Sequence, residues 1–411
     1  MTSGFFRDNG VLVCDGVPLE ALAREHGTPL YVYSGAAIDE SFRRFDHVFA
    51  SVPHLVCYAA KANSARAILA RLARLGAGAD VVSGGELRAA RECGIPAERI
   101  VFSGVGKTDE ELETGVGAGL LAINAESERE LEKISAIAAA RGTVARVALR
   151  VNPDIDARSH PHISTGLSEN KFGVDIGRAR GLFEKSRALP GLRMVGVQAH
   201  VGSQILEEAP LAKTACELAA LAGSLAAAGF PIDTVDLGGG LGIGPGALTP
   251  ESYAAAVLPP LLPLPFRVLV EPGRAIVGRA GVLLTRVLYV KREREKNFVV
   301  VDAGMNDFLR PALYGAAHAI EPAGAPSSES LFADVVGPVC ETGDAFLRDA
   351  ALPLPREGDV LAIRDTGAYG HAMASNYNFR PRPAEVLVED GAARVIRRHE
   401  TYEDLARLEA E

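Results

Sequence analysis

Lys61 closes an apolar run, Leu55-Val56-Cys57-Tyr58-Ala59-Ala60-Lys61, and Ala62-Asn63-Ser64 then leads toward a helix. An amine at the carboxyl end of a buried strand is costly unless it is paired, neutralised or used covalently. Three further turns also follow apolar runs: His200-Val201-Gly202-Ser203, Gly238-Gly239-Gly240 and Glu271-Pro272-Gly273-Arg274. Glycine lets backbone N–H groups approach an anion with no side chain in the way. A carboxylate such as Glu271 can hold a protonated ring nitrogen and make an aromatic ring an electron sink. A lysine able to form a Schiff base, two phosphate-cradling turns and one carboxylate are together what pyridoxal 5'-phosphate requires. Taken singly, each has a plainer reading. Lys61 could be an ion-pair lysine, the glycines tight turns, His200 a core histidine and Glu271 a surface residue before a turn.

The elements that must position these residues alternate between strand and helix from about residue 54 to 275. Strands are expected at 55–61, 79–83, 100–103, 120–124, 145–151, 194–200, 234–238 and 267–271, with amphipathic helices between them. Ser127 and the acidic residues beside it mark one helix start. Runs such as Arg146-Val147-Ala148-Leu149-Arg150-Val151 suit strands buried on both faces. This pattern predicts an α/β protein with a TIM-like (β/α)8 barrel, whose functional residues gather at the carboxyl ends of the strands. The loops after the seventh and eighth strands commonly bind phosphate in such barrels; here they are Gly238–Gly240 and Gly273-Arg274. Both chain ends read differently, with short β-rich runs at 11–14, 30–33, 282–287, 298–302 and 384–388. The expected organisation is an N-terminal β-segment (1–35), the cofactor-binding barrel (36–278) and a C-terminal β-region (279–411). The two end segments would join in one mainly-β, Greek-key-like barrel domain. Segment 321–330 reads as an exposed loop.

Composition narrows the classes. With 411 residues and 48% apolar content the chain can bury a large core. A net charge of -9 without a Lys/Arg cluster argues against nucleic-acid binding. The sequence shows neither a membrane-length apolar run nor a signal-peptide pattern, so a cytoplasmic, soluble protein is expected. Five scattered cysteines, without metal-ligand spacing, predict neither a disulfide framework nor a metal site. Cys14, Cys57, Cys93 and Cys216 read as small buried hydrophobes.

Longer motifs add a resemblance. Tyr58-Ala59-Ala60-Lys61-Ala62-Asn63, Ile163-Ser164-Thr165-Gly166, Asn170-Lys171-Phe172-Gly173 and Asp302-Ala303-Gly304-Met305-Asn306-Asp307 stand in order along the chain. Arg310-Pro311-Ala312-Leu313-Tyr314, Cys340-Glu341-Thr342-Gly343-Asp344 and Met373-Ala374-Ser375-Asn376-Tyr377-Asn378 follow. Nearly end to end, the sequence resembles the diaminopimelate decarboxylase family of fold-type III pyridoxal-phosphate enzymes. That resemblance implies removal of the D-centre carboxylate of meso-2,6-diaminopimelate, giving L-lysine and CO2. It implies that Lys61 holds the cofactor covalently, His200 stacks on its ring and Glu271 pairs with the ring nitrogen. Ser203, Gly238, Gly239, Gly240, the Gly273-Arg274 backbone and Tyr369 would bind the phosphate. Arg274, Arg310, Tyr314 and Glu341, beside Tyr369, would receive the substrate's distal end. Two arginines and a tyrosine suit a carboxylate, and Glu341 suits an ammonium. Cys340 would enter the neighbouring subunit's site and protonate the carbon left by CO2, which requires a homodimer with shared active sites.

Related decarboxylases of ornithine, arginine or carboxynorspermidine are the nearest rivals, but Arg310 suits none of the purely cationic tails. A racemase of this fold is expected to carry arginine where Glu271 stands. A relative acting on a carrier-bound amino acid stays open, whereas an inactive regulatory homologue conflicts with retention of Lys61, Glu271 and Cys340. His162, Ala317 and His371 depart from the family's usual residues. A loop over the substrate is expected at 156–170.

Overall fold

The computed structural model describes residues 4–156, 166 and 170–409. The expected loop at 156–170, including His162, therefore lies almost wholly outside the described residues. The chain forms two compact units, Phe42–Ala275 and Met1–Ser41 with Ile276–Glu411.

The first unit is a closed barrel of eight parallel strands. They are His54–Ala59, Gly78–Val81, Ile100–Phe102, Ala122–Ala125, Ala145–Asn152, Leu192–Gln198, Thr234–Asp236 and Arg267–Val270. Closure comes from the last strand pairing with the first, Leu269 opposite Leu55 and Val270 opposite Val56. The strand interiors are almost wholly buried, which explains their continuous apolar runs. Leu55, Cys57, Val101, Leu121, Ala122, Ala148, Val195 and Leu269 pack as one cluster. Mixing small and large side chains lets such a group fill a barrel without voids. Helices begin where short polar residues can cap them. Ser83, Thr108, Ser127 and Thr249 each accept an N–H from the first turn, and Pro250 opens its helix where a missing N–H costs nothing. These caps fix each loop between a strand's carboxyl end and its helix, where the functional residues sit.

The second unit is mainly β. Leu30–Ser34, from the start of the chain, lies between Gly281–Arg292 (antiparallel) and Ala384–Glu389 (parallel). The long strand Gly281–Arg292 also pairs with Asn297–Val301 and Val360–Ile363, so it joins most of a nine-stranded sheet. Alternation along Leu30–Ser34 sorts its faces. Leu30 and Val32 enter a core with Leu12, Leu22, Leu284 and Val386. Tyr31 and Tyr33 turn the other way, donating to the Asp307 carbonyl at 2.6 Å and to Glu385 Oε1 at 2.7 Å. The segment expected as an exposed loop at 321–330 is exposed over 325–330, but it begins with the end of a strand, Ile320–Pro322, and buries Ala323. Its Ala/Gly/Pro/Ser composition hid a short edge pairing, because small residues carry little periodicity. No helix among the described residues is long and apolar enough to cross a membrane.

Candidate active site

Lys61 stands not in the strand but in a single 3-10 turn, Ala60–Ala62, just beyond it. Tyr58 Oη donates to the Asn63 carbonyl at 2.9 Å, and Asn63 Oδ1 accepts the Ala65 N–H at 3.1 Å. That bracing aims Lys61 Nζ at Asp80 Oδ2, 2.5 Å away on the adjacent second strand. Lys61 keeps 31% side-chain exposure while Asp80 has none. The amine is thus charge-paired yet reachable.

A cavity of about 410 Å3 opens beside it, lined among others by Ser103, Arg150, Phe172, Gln198, His200 and Glu271. That volume suits a small phosphorylated aromatic ligand. Arg150 pairs with buried Glu126 at 2.8 Å and lies over the Phe172 ring at 4.8 Å. Gly239 N–H donates to His200 Nδ1 at 3.1 Å, which leaves the imidazole proton on Nε2. Burial, then the charges of Lys61 and Arg150, hold His200 well below the usual histidine range. It therefore presents a neutral ring, able to stack without repelling a cationic heterocycle.

Glu271 lies just beyond the eighth strand, which ends at Val270 and not at 271 as expected, and is almost fully buried. Burial first, then the charges of Asp236 and Asp80, push its carboxyl far up. Around it, the glycine turn is packed to its limit. A Cβ on Gly239 would stand 2.2 Å from the Glu271 carbonyl oxygen, and Gly240 holds a φ of +105°. The turn's amides are unequally available. Gly238 N–H is taken by Asp236 Oδ1 at 2.9 Å and Gly239 N–H by His200, whereas the Gly240 N–H meets no acceptor among the described residues. Arg274 is buried and donates to Ser203 Oγ at 3.0 Å, so the serine hydroxyl proton is free to point elsewhere. A glycine cradle, an oriented hydroxyl, a reachable lysine and a buried carboxyl fit pyridoxal phosphate. Gly239→Ala should lower stability by about 1–3 kcal/mol, because its methyl meets backbone that has no room to move. Thermal melting of the purified variant checks this.

The remaining expected residues lie in the mainly-β unit. Arg310 opens the helix Arg310–Tyr314 and is buried. Its guanidinium lies 5.3 Å from the Tyr314 ring centre and 5.9 Å from that of Tyr369. Tyr369 holds a φ of +54°. Cys340 and Glu341 are exposed, and Tyr377 Oη donates to Glu341 Oε1 at 2.5 Å. Buried Asp344 holds that loop by accepting the Met305 and Val339 N–H groups, each at 2.7 Å. Of the other cysteines, Cys14 and Cys57 are buried as expected, Cys93 is half-buried and Cys216 is exposed. Cys216 sits on a long Ala/Leu-rich helix, where composition conceals which face is wet.

Asp80, Asp236, Gln198, Arg150 and Tyr377 escaped the sequence reading. Two carboxylates stand within apolar runs, Ala79-Asp80-Val81 and Val235-Asp236-Leu237, and the cost of burying a charge marks them as it marks Lys61.

A lysine and a carboxyl that line one cavity at the carboxyl face of a parallel barrel suit a Schiff-base enzyme. Residues 35–278 match the family model described as "Pyridoxal-dependent decarboxylase, pyridoxal binding domain". Diaminopimelate decarboxylase of Aquifex aeolicus is 45% identical over 405 residues, 97% of this chain and 95% of that protein. The crystal structure of the Helicobacter pylori diaminopimelate decarboxylase complexed with L-lysine superposes with a TM-score of 0.92. It is 46% identical, covering 95% of this chain and 99% of that one. The M. jannaschii enzyme in co-complex with L-lysine gives a TM-score of 0.95 at 38% identity, covering 100% and 99%. The chain belongs to the pyridoxal-dependent decarboxylases and, within them, to the diaminopimelate decarboxylase family. Its cofactor is pyridoxal phosphate.

Proposed function

We propose that this protein removes CO2 from the D-centre of meso-2,6-diaminopimelate and releases L-lysine, the last step of lysine biosynthesis. The observation that carries this reading is full-length similarity to diaminopimelate decarboxylases, two of them solved with L-lysine bound. Buried Arg310 supports it, since a guanidinium suits a distal carboxylate and not a cationic tail.

Bound pyridoxal phosphate supplies an aldehyde that exchanges amines and a ring that stores the electron pair of a broken bond. Lys61 anchors it covalently, and Asp80 keeps the amine aligned. Ser203 Oγ, the Gly240 N–H, the Gly273-Arg274 backbone and Tyr369 hold the phosphate, while Gly238 and Gly239 shape the turn. Glu271 takes the ring nitrogen and His200 covers one ring face. Arg274, Arg310 and Tyr314 grip the distal carboxylate of the substrate, and Glu341, steadied by Tyr377, takes its ammonium. This grip sets the scissile bond in the orientation from which its electrons can leave. Cys340 donates a proton from Sγ to the carbon that has lost CO2, acting in the site of a partner subunit. The working form is then a homodimer, located in the cytoplasm.

Release of CO2 from meso-diaminopimelate, its LL-isomer, L-lysine, L-ornithine and L-arginine tests the substrate. Turnover confined to the meso isomer is expected. Turnover of ornithine or arginine would overturn the role given to Arg310.

A further inference from the structure

Tyr31 stands on a strand held from both sides, antiparallel to Gly281–Arg292 and parallel to Ala384–Glu389, and its side chain is wholly buried. A strand inside a sheet is a fixed reference for the loops that touch it. Two loops touch Tyr31. The first is the turn before Arg310, which closes on itself. The Asp307 and Phe308 N–H groups donate to the Gly304 carbonyl at 2.9 and 3.1 Å, and Asp307 Oδ2 accepts the Gly304 N–H at 2.8 Å. Three residues ahead of Arg310, the Asp307 carbonyl accepts Tyr31 Oη at 2.6 Å.

The second is the turn that carries Tyr369. A Cβ on Gly370 would stand 2.8 Å from Tyr31 Cε1 and 3.0 Å from its Oη, so the phenol fills the space a side chain would need. The His371 ring meets the same phenol edge-on, with 5.8 Å between centres. Tyr369 itself holds a left-handed backbone, φ +54°, which persists in a tyrosine only where the surroundings impose it. The two turns also meet directly, the Ser375 N–H donating to the Asn306 carbonyl at 2.8 Å. Burial, then the charges of Asp307 and Glu385, push the Tyr31 phenol well above its ordinary value, so the hydroxyl keeps the proton it donates.

We propose that Tyr31 is a positioning residue for the pocket that receives the substrate's distal carboxylate. Its hydroxyl fixes the turn that starts the Arg310 helix, and its ring fixes the turn that carries Tyr369. Arg310 lies 5.3 Å from the Tyr314 ring centre and 5.9 Å from that of Tyr369, so moving either turn moves the guanidinium against its neighbours. A guanidinium grips a carboxylate through paired, directional N–H donors, and a small rotation removes one of the two bonds. Being wholly buried, Tyr31 acts only through these turns. The inference deepens, and rests on, the reading of Arg310 as the carboxylate's partner.

Inhibition of the cofactor-loaded enzyme by L-lysine tests it, because that product keeps the carboxylate assigned to Arg310. Tyr31→Phe removes one hydroxyl and leaves the Asp307 carbonyl without it. In that variant the L-lysine inhibition constant and the KM for meso-diaminopimelate should each rise about tenfold, the scale on which a displaced positioning group acts. Tyr33→Phe is the matched control. It takes an equally buried hydroxyl off the same strand face, where it donates to Glu385 Oε1 at 2.7 Å, and should lower the melting temperature while leaving both constants unchanged. Unchanged constants in folded Tyr31→Phe overturn the proposal. So do equal rises in the two variants, which would mark a general loosening. If Tyr31→Phe does not fold, His371 supplies the test. His371→Ala takes the ring edge off Tyr31 and should raise both constants. His371→Phe restores that edge without the nitrogen that faces Glu385 at 3.6 Å, and should bring them back. No rise in His371→Ala, or no rescue by phenylalanine, overturns the proposal. Arg310→Ala separates the two layers. If it leaves the L-lysine constant unchanged, the reading of Arg310 falls and this inference with it. If it weakens L-lysine while Tyr31→Phe does not, only the role of Tyr31 falls.

Discussion

Lys61→Ala protein should fold, bind pyridoxal phosphate only reversibly and lose activity by on the order of 10³-fold or more. The proposed anchor is one amine in a braced 3-10 turn, and no other lysine among the described residues lines the cavity. The phosphate cradle proposed above comes from the turns after the sixth, seventh and eighth strands and not from Lys61, so non-covalent retention should survive the substitution. Removal of Lys61 also strips Asp80 of its cation. A buried acceptor left without its partner costs about 1–3 kcal/mol. The variant should therefore melt lower without cofactor and lack the absorbance of the lysine-bound form, and added primary amines should restore part of the rate. Undiminished turnover would remove Lys61 from the chemistry.

Cys340→Ala should cut kcat by about 10²–10⁴-fold, the usual worth of a positioned proton donor. Its KM should change little, because the thiol acts after substrate is held. Cys340 is exposed, and its loop is fixed from below by Asp344 and from the side by Asn378, whose Oδ1 accepts the Cys340 N–H at 3.4 Å. A thiol on a rigid, exposed loop is suited to a neighbouring copy's site. Mixing Lys61→Ala with Cys340→Ala checks this reading. Random exchange makes half of all dimers mixed, and each mixed dimer regains one intact site, so about a quarter of wild-type activity should return. No recovery from exchanging subunits would place Cys340 in its own subunit's site or outside the chemistry.

Much of this was legible in one dimension. The eight strands were visible because a parallel sheet covered on both faces demands near-continuous apolar runs. Lys61 and Glu271 were visible because a charge within or directly after such a run is costly without a purpose. Helix starts at Ser127 and Pro250 follow from local hydrogen bonding, which involves only neighbours in the chain. Where local composition was weak, reading failed. Ala323 lies in a small-residue segment and Cys216 on a uniformly apolar helix, and neither pattern distinguishes an inner from an outer face.

By itself the sequence determined the barrel, the lysine, the carboxylate and the glycine turns, because each depends on residues adjacent or two apart. The tertiary structure alone decided the charge balance. Lys61 meets Asp80 across 19 residues, and the pairing of the seventh and eighth strands sets Asp236 opposite Leu269. It also decided that Gly238 and Gly239 spend their amides within the protein. The reason is physical. Protonation and hydrogen-bond supply in a buried site are sums over every group within a few ångströms, and strand register, set by the closed barrel, chooses those groups.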